Sequence, residues 1–138
     1  MPETTCRALC VAPALLEKFW PHVSPLIAAA MRRGRITDFA VVDRAVLSGN
    51  ALLWIACDGG RIHAAAVTEL SAVAGERFCT ITACGGSGRA QWLPLIAELE
   101  DYARREGCAA MRIFGRTGWA RVLPDYRVSR VLLEKPLG

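Results

Sequence analysis

The residues best suited to chemistry in this 138-residue chain form a glycine cluster, Gly85-Gly86-Ser87-Gly88-Arg89, between a strand-like run and a helical one. Glycines let a backbone turn sharply and lie close to a ligand. The start of the following helix leaves N–H groups free and presents the positive end of the helix dipole, which suits a phosphate. The cluster therefore predicts a site for a nucleotide-like anion, and its alternative is a tight turn that only connects two elements.

Two common phosphate-binding motifs do not fit this cluster. No Gly-Lys-Ser/Thr follows it, which excludes a P-loop, and the spacing of its glycines is not that of a dinucleotide fingerprint. Pro94 is tolerated only in a first helical turn, so we expect the regular helix to begin near Gln91. The amides of residues 86 to 90 would then be available to a ligand.

Six cysteines and two histidines are the other groups that could bind a metal or react. Because no Cys-x-x-Cys pair occurs, a zinc site is not predicted, and the thiols are interpreted as reduced, small hydrophobic residues. Cys84 adjoins the glycine cluster, where a positive environment could lower the pKa of its thiol. The alternative for Cys84 is packing at the end of a strand. Cys6 and Cys10, four residues apart, would share a face if this segment were helical.

The elements that must position these residues follow from hydrophobic periodicity. Strands are predicted at 52 to 57 and 61 to 68, joined by an Asp58-Gly59-Gly60 turn, and at 78 to 84. The helix after the glycine cluster, at 91 to 106, carries one apolar face. That face comprises Trp92, Leu95, Ile96, Leu99, Tyr102 and Ala103.

The two ends of the chain complete the predicted order. In the N-terminal third, a helix from Ala14 to Trp20 should end at Pro21, and a second should run from Ser24-Pro25 to Arg33. A third helix, Thr37 to Leu47, should turn an apolar face inward. That face comprises Phe39, Val42 and Val46. The C-terminal elements are a strand at 110 to 114, a short helix at 118 to 123 and a last strand at 129 to 133.

This order, with the glycine cluster between a strand and a helix, resembles the GNAT superfamily of acyl-CoA-dependent N-acyltransferases, and most closely its small phage-encoded members. The family's Arg/Gln-x-x-Gly-x-Gly/Ala loop corresponds to Ala83-Cys-Gly-Gly86-Ser-Gly88, in which both glycines match. Its Asn-x-x-Ala-x-x-Leu-Tyr segment corresponds to residues 117 to 124, in which Ala120 and Leu123 match. The resemblance implies an α/β (α+β) fold: a single GNAT-like domain over residues 1 to 138, with a central mixed sheet flanked by helices.

The resemblance also implies acetyl-CoA as cosubstrate and assigns residues to it. Gly85, Gly86, Ser87, Gly88 and Arg89 would bind the pyrophosphate. Arg116, at the end of the strand at 110 to 114, would contact a phosphate or instead pair with an acid such as Asp125.

Acyl transfer from a thioester to an amine requires that the amine lose a proton and the departing thiolate gain one. Glu69, at the end of the hairpin, is the candidate base, and His63 is a second one; a solvated strand-end glutamate and a packed histidine are the alternatives. The family's usual acid is a tyrosine whose place Pro124 takes here. Tyr126, two residues on, is therefore the candidate acid, and turn packing is its alternative.

Composition and charge indicate whether the protein binds nucleic acid, spans a membrane or is secreted. A net charge of +4 suits coenzyme A and nucleic acid alike, but the single dense basic patch, Arg32-Arg33-Gly34-Arg35, lies at a predicted helix end, which disfavours nucleic-acid binding. No apolar run reaches the ~20 residues of a membrane span, and the first residues lack signal-peptide features. A cytoplasmic protein is expected, virion-associated if phage-encoded. The resemblance implies a homodimer, paired through a sheet edge, or a virion assembly. The alternative function that it implies is a GNAT-fold phage structural or accessory protein without catalysis.

Overall fold

The structure, a computed structural model, describes residues 7–34, 38–58, 61–86, 89–113, 123–129 and 133–138. A 3-10 turn, Pro13–Leu15, precedes the first helix. The remaining elements in chain order are β1 (Arg7–Cys10), α1 (Leu16–Gly34), α2 (Phe39–Leu47), β2 (Leu52–Asp58), β3 (Arg61–Val73), β4 (Glu76–Gly86), α3 (Arg89–Arg105) and β5 (Ala110–Ile113).

The five strands form one sheet in the order β1-β2-β3-β4-β5. Neighbouring strands are antiparallel from β1 to β4, whereas β4 and β5 are parallel and connected through α3. The predicted hairpin, the parallel pair and the mixed sheet flanked by helices are all confirmed. No helix in the described part of the chain is long and apolar enough to span a membrane.

Helices cover both faces of the sheet because the side chains of β3 alternate between two apolar clusters. Ala65 and Val67 pack with α1 and α2, while Ala64 and Ala66 pack with α3. Such alternation follows from the two-residue period of a strand. The predicted inward faces of α2 and α3 are confirmed; their buried residues are Val42, Val46, Leu95, Ile96, Leu99 and Ala103.

The prediction that Pro21 ends the first helix is wrong, because α1 continues through both Pro21 and Pro25. Each proline forfeits one helical hydrogen bond, a change that costs ~3 kcal/mol or more in a helix interior. Both proline rings are exposed, so water can bond the freed carbonyl oxygens. The opposite face of α1 buries Trp20, Val23 and Ile27 against the sheet, and this packing holds the helix together.

Three further differences concern the ends of elements. Cys10 belongs to β1, so the segment is not the helix that would align Cys6 with Cys10. α3 begins at Arg89, two residues before the predicted Gln91. Ser129 and Leu133, the ends of the predicted last strand, are not in a strand, and residues 130–132 between them lie outside the described residues. The predicted helix at 118 to 123 also lies outside them, apart from Leu123.

Candidate active site

A β-bulge interrupts β4 at Thr82. Val67 and Thr68 are consecutive in β3, yet they pair with Ala83 and Ile81, so Thr82 is one extra residue in β4. The Thr82 hydroxyl donates to the Val67 carbonyl oxygen at 3.4 Å. Bulges bend a strand, raise its local twist and are over-represented next to active sites.

The pairing between β4 and β5 stops at this bulge. β5 pairs with β4 from Phe78 to Ile81, where Ile81 lies opposite Ile113, and β4 then continues to Gly86. Within the described part of the chain, the outer edge of β4 from Thr82 to Gly86 therefore has no strand beside it. An extended ligand rich in amide groups can bond to such an edge as an added strand would. The edge ends in the first two glycines of the cluster, Gly85 and Gly86, and α3 starts at Arg89.

Close packing leaves no space for a side chain at two positions of the glycine cluster, Gly85 and Gly86. Gly85 and Gly86 are the last residues of β4. A Cβ at Gly85 would lie 2.5 Å from the carbonyl oxygen of Leu26 in α1. A Cβ at Gly86 would lie 2.6 Å from the carbonyl oxygen of His63 and 2.7 Å from the Cβ of Ala64. Side chains at both positions would thus meet the protein itself.

The remaining predicted cofactor residues lie at or beyond the edge of what is described. Arg89, the last residue of the cluster, is the first residue of α3, so a helix N-terminus lies at the cluster, as the anion-site prediction requires. Ser87, Gly88 and Arg116 lie outside the described residues. The roles of these residues stay predictions.

Glu69 lies on the sheet face that carries α1 and α2. It alternates with Ala65 and Val67, which pack on those helices, and its Cα partner in β4 is Thr80. Glu69 is half-buried and Thr80 is buried. Gly85 pairs with Ala65, which precedes Glu69 by four residues. The Glu69–Thr80 pair therefore lies about 13 Å along the strand from the Ala65–Gly85 pair, the glycine end of the sheet.

His63, the second candidate base, lies at the glycine end. It is the extra residue of another bulge, where Ala64 and Ile62 pair with the consecutive Ala56 and Cys57. Its Nε2 is 3.9 Å from an Asp58 carboxylate oxygen. The interval from His63 to Glu69 spans about 20 Å of strand. The structure therefore does not bring the two candidate bases together.

Tyr126 packs on the opposite side of the sheet, against the cluster that includes α3. Its hydroxyl donates to the Glu100 carboxylate at 2.6 Å. Burial, then this hydrogen bond and the negative charge of Glu100, raise the pKa of Tyr126. Both side chains line a shallow pocket of about 160 Å³ between α3 and residues 123–126. The predicted acid thus holds its proton more tightly than a free tyrosine, and it does not share a face with Glu69.

Cys84 is a packing residue. It is half-buried against the α3-side cluster. Burial raises the pKa of its thiol to about 12, so the interpretation of Cys84 as an activated thiol is wrong. Burial raises this pKa because it disfavours the charged thiolate. Among the described residues, no three histidine, cysteine or acidic side chains are grouped as a metal site.

The sequence did not reveal the Thr82 bulge or the Tyr126–Glu100 bond. The residues around Thr82 alternate as in a regular strand, and only the pairing with β3 shows the extra one. Glu100 is one of several acids on α3, and its partner lies 26 residues away. A long-range pair of this kind leaves no local signal.

No protein-family model matches the sequence, and no curated protein is similar to it in sequence. Solved structures match the fold along nearly the whole chain. A predicted acetyltransferase from Clostridium acetobutylicum, solved with acetyl-CoA, is 11% identical with a TM-score of 0.70, covering 96% of this chain and 97% of that one.

Two further structures agree with this match. An aminoglycoside acetyltransferase from an uncultured soil metagenomic sample, in complex with sisomicin, is 14% identical with a TM-score of 0.69, covering 96% of each chain. A GNAT family acetyltransferase from Staphylococcus aureus is 12% identical with a TM-score of 0.64, covering 96% of this chain and 99% of that one. At such low identities the likeness concerns architecture: the chain has the fold of GNAT-family acetyltransferases.

Proposed function

We propose that this protein binds acetyl-CoA and transfers its acetyl group to an amine. The observation that carries the proposal is the outer edge of β4 from Thr82 to Gly86, which begins at the bulge and ends at the N-terminus of α3. The amide-rich arm of the cofactor would bond along this edge, and its pyrophosphate would meet the free amides at the helix start. The thioester would then lie near Thr82.

Glu69 is the proposed base. It is half-buried on β3, opposite Thr80 and therefore close in register to the bulge. As a carboxylate it would accept a proton from the acceptor ammonium, directly or through a water molecule. The free amine would attack the thioester carbon, the carbon–sulfur bond would break, and the departing thiolate would take a proton. His63 lies at the pyrophosphate end of the proposed path and is not assigned this role.

Calorimetric titration with acetyl-CoA tests the binding step. Saturable binding in the micromolar range is expected, and no binding at millimolar concentration would reject the proposal. Release of coenzyme A thiol in the presence of amines then tests transfer. Glu69→Gln should lower the turnover about 100- to 10,000-fold while leaving the affinity for acetyl-CoA unchanged. The matched control is Glu98→Gln, which neutralises an exposed glutamate on α3 and should change neither quantity.

A second candidate function is a GNAT-fold protein that has lost catalysis and serves as a phage structural or accessory component. Two observations favour it. Pro124 takes the place of the family's tyrosine, and the nearby Tyr126 is bonded to Glu100 with a raised pKa. Tight acetyl-CoA binding without transfer to any amine would support a binding module, and no binding at all would support a structural role.

A further inference from the structure

Arg112 stands in the same cross-strand row as the proposed base. The residue pairing places Glu69 of β3 opposite Thr80 of β4, and Thr80 opposite Arg112 of β5. Directly paired residues project from the same face of a sheet, so all three share the face that carries α1 and α2. Two strand spacings separate the Cα atoms of Glu69 and Arg112 by about 9.6 Å. The row lies just before the bulge at Thr82.

The guanidinium of Arg112 is held in place by an aromatic ring. Its central carbon, Cζ, lies 3.7 Å from the centroid of the Phe78 ring. Phe78 is buried and Arg112 is half-buried. A stacked arginine keeps the N–H groups at its edges available, because the ring contacts only the flat face of the guanidinium.

Within the described part of the chain, no ion pair neutralises either end of the row. Among the described side chains, the ion pairs are His63–Asp58 and Arg104–Asp101, and neither includes Glu69 or Arg112. A carboxylate and a guanidinium thus lie on the same face of the sheet, one strand to either side of β4, with the guanidinium over Phe78. A molecule with an ammonium at one end and a carboxylate at the other complements this arrangement in charge.

We infer that the acceptor is an amine that also bears a carboxylate, which Arg112 binds while the amine lies toward Glu69. This inference rests on the proposed function and specifies its substrate class. A guanidinium binds a carboxylate through two parallel hydrogen bonds, which fixes the orientation of the acceptor. During transfer, the ammonium loses one proton to Glu69, the amine nitrogen bonds to the acetyl carbon and the carbon–sulfur bond breaks. The nitrogen loses its second proton to solvent, and the departing thiolate takes one from solvent. The carboxylate remains on Arg112 throughout.

A pair of acceptors that differ only in the carboxylate tests the inference. The probes are β-alanine and β-alaninamide, whose equilibrium binding is measured by calorimetry with and without coenzyme A. The wild type should bind β-alanine about 10- to 100-fold more tightly, the range expected for a charge-assisted pair. If transfer is observed, the preference should appear in KM, with kcat for the two acceptors much closer.

Two variants of Arg112 complete the test. Arg112→Met removes the charge but keeps a flexible side chain that can pack on Phe78, and it should abolish the preference. Arg112→Lys keeps the charge but cannot form two parallel hydrogen bonds, so it should retain part of the preference for β-alanine. Equal binding of the two probes by the wild type, or a preference that survives Arg112→Met, would overturn the inference.

Titration of the same samples with coenzyme A separates this inference from the proposed function. Arg112→Met should leave the affinity for coenzyme A unchanged, and a loss of that affinity would place Arg112 in the cofactor site and overturn the acceptor role. If the wild type does not bind coenzyme A, the proposed function fails. The preference for β-alanine, measured without cofactor, still decides whether the row binds carboxylates.

Discussion

Replacement of Gly86 by alanine separates the packing role of the glycine cluster from its proposed binding role. The new Cβ would lie 2.6 Å from the His63 carbonyl oxygen and 2.7 Å from the Ala64 Cβ, both part of β3. Overpacking of this kind costs about 1–3 kcal/mol, and the lower entropy of the unfolded alanine chain offsets about 0.4–1 kcal/mol. We therefore expect Gly86→Ala to lower the free energy of unfolding by about 1–2 kcal/mol.

Urea and thermal denaturation measure this loss, which corresponds to a fall in Tm of about 3–8 °C for a domain of this length. Because the Cβ points into the protein, the affinity for acetyl-CoA should not change. Gly88→Val should do the reverse: it should abolish cofactor binding and leave most of the stability.

A third variant, Gly49→Ala, shows whether a lower stability by itself changes the affinity for acetyl-CoA. A Cβ at Gly49 would meet no atom within 4 Å, but the residue must keep a φ of +83°. Gly49→Ala should therefore cost about 1–2 kcal/mol without changing the outer edge of β4, and it should leave the affinity intact. A Gly86→Ala protein that is as stable as the wild type but no longer binds acetyl-CoA would refute the packing argument.

Three other predictions concern side chains outside the glycine cluster. Tyr126→Phe removes the hydrogen bond to Glu100 and should cost about 1–2 kcal/mol in urea denaturation; a turnover reduced 100-fold or more would instead establish Tyr126 as the acid. The pKa of Cys84 rises from 9.0 to about 12, so its contribution to stability is complete below pH 9 and is lost as the pH rises to 12. Urea titrations should thus show a free energy of unfolding that is lower at pH 10.5 than at pH 8, and the difference should be smaller in Cys84→Ala. An equal difference in both proteins would contradict this assignment. Asp43→Ala leaves the buried Trp20 Nε1–H without its acceptor at 2.7 Å and should cost about 1–3 kcal/mol, whereas an unchanged urea midpoint would show that water replaces the carboxylate.

The elements with strong periodicity could be predicted from the sequence. The β2–β3 hairpin and the strand–helix–strand unit around α3 are confirmed, because alternation and 3.6-residue spacing report burial directly. α1 shows where local rules fail. Pro21 and Pro25 each predict a helix boundary, but burial of Trp20, Val23 and Ile27 against the sheet outweighs the two lost hydrogen bonds. Tertiary packing of this kind has no local signature.

The candidate site was only partly predictable, because its parts depend on register between strands. Nothing in the residues around Thr82 marks a bulge, and nothing near Arg112 indicates that it shares a row with Glu69. Gly85 and Gly86 were interpreted as a site of ligand approach, with a tight connecting turn as the alternative. In the structure, α1 and β3 leave no space for a side chain at either position, a packing requirement that the sequence pattern did not indicate.

The position of Tyr126 disfavours it as the group that protonates the leaving thiolate in a transfer reaction. Its hydroxyl is bonded to Glu100 on the α3 side, whereas Glu69 lies on the α1 side. A carboxylate acceptor together with burial favours the protonated phenol, so donation to a thiolate would require breaking a charge-assisted bond and creating a second anion beside Glu100. Protonation of the thiolate by a water molecule has no such cost. Direct protonation by solvent therefore accounts for transfer without Tyr126, and in that case the turnover of Tyr126→Phe should equal that of the wild type.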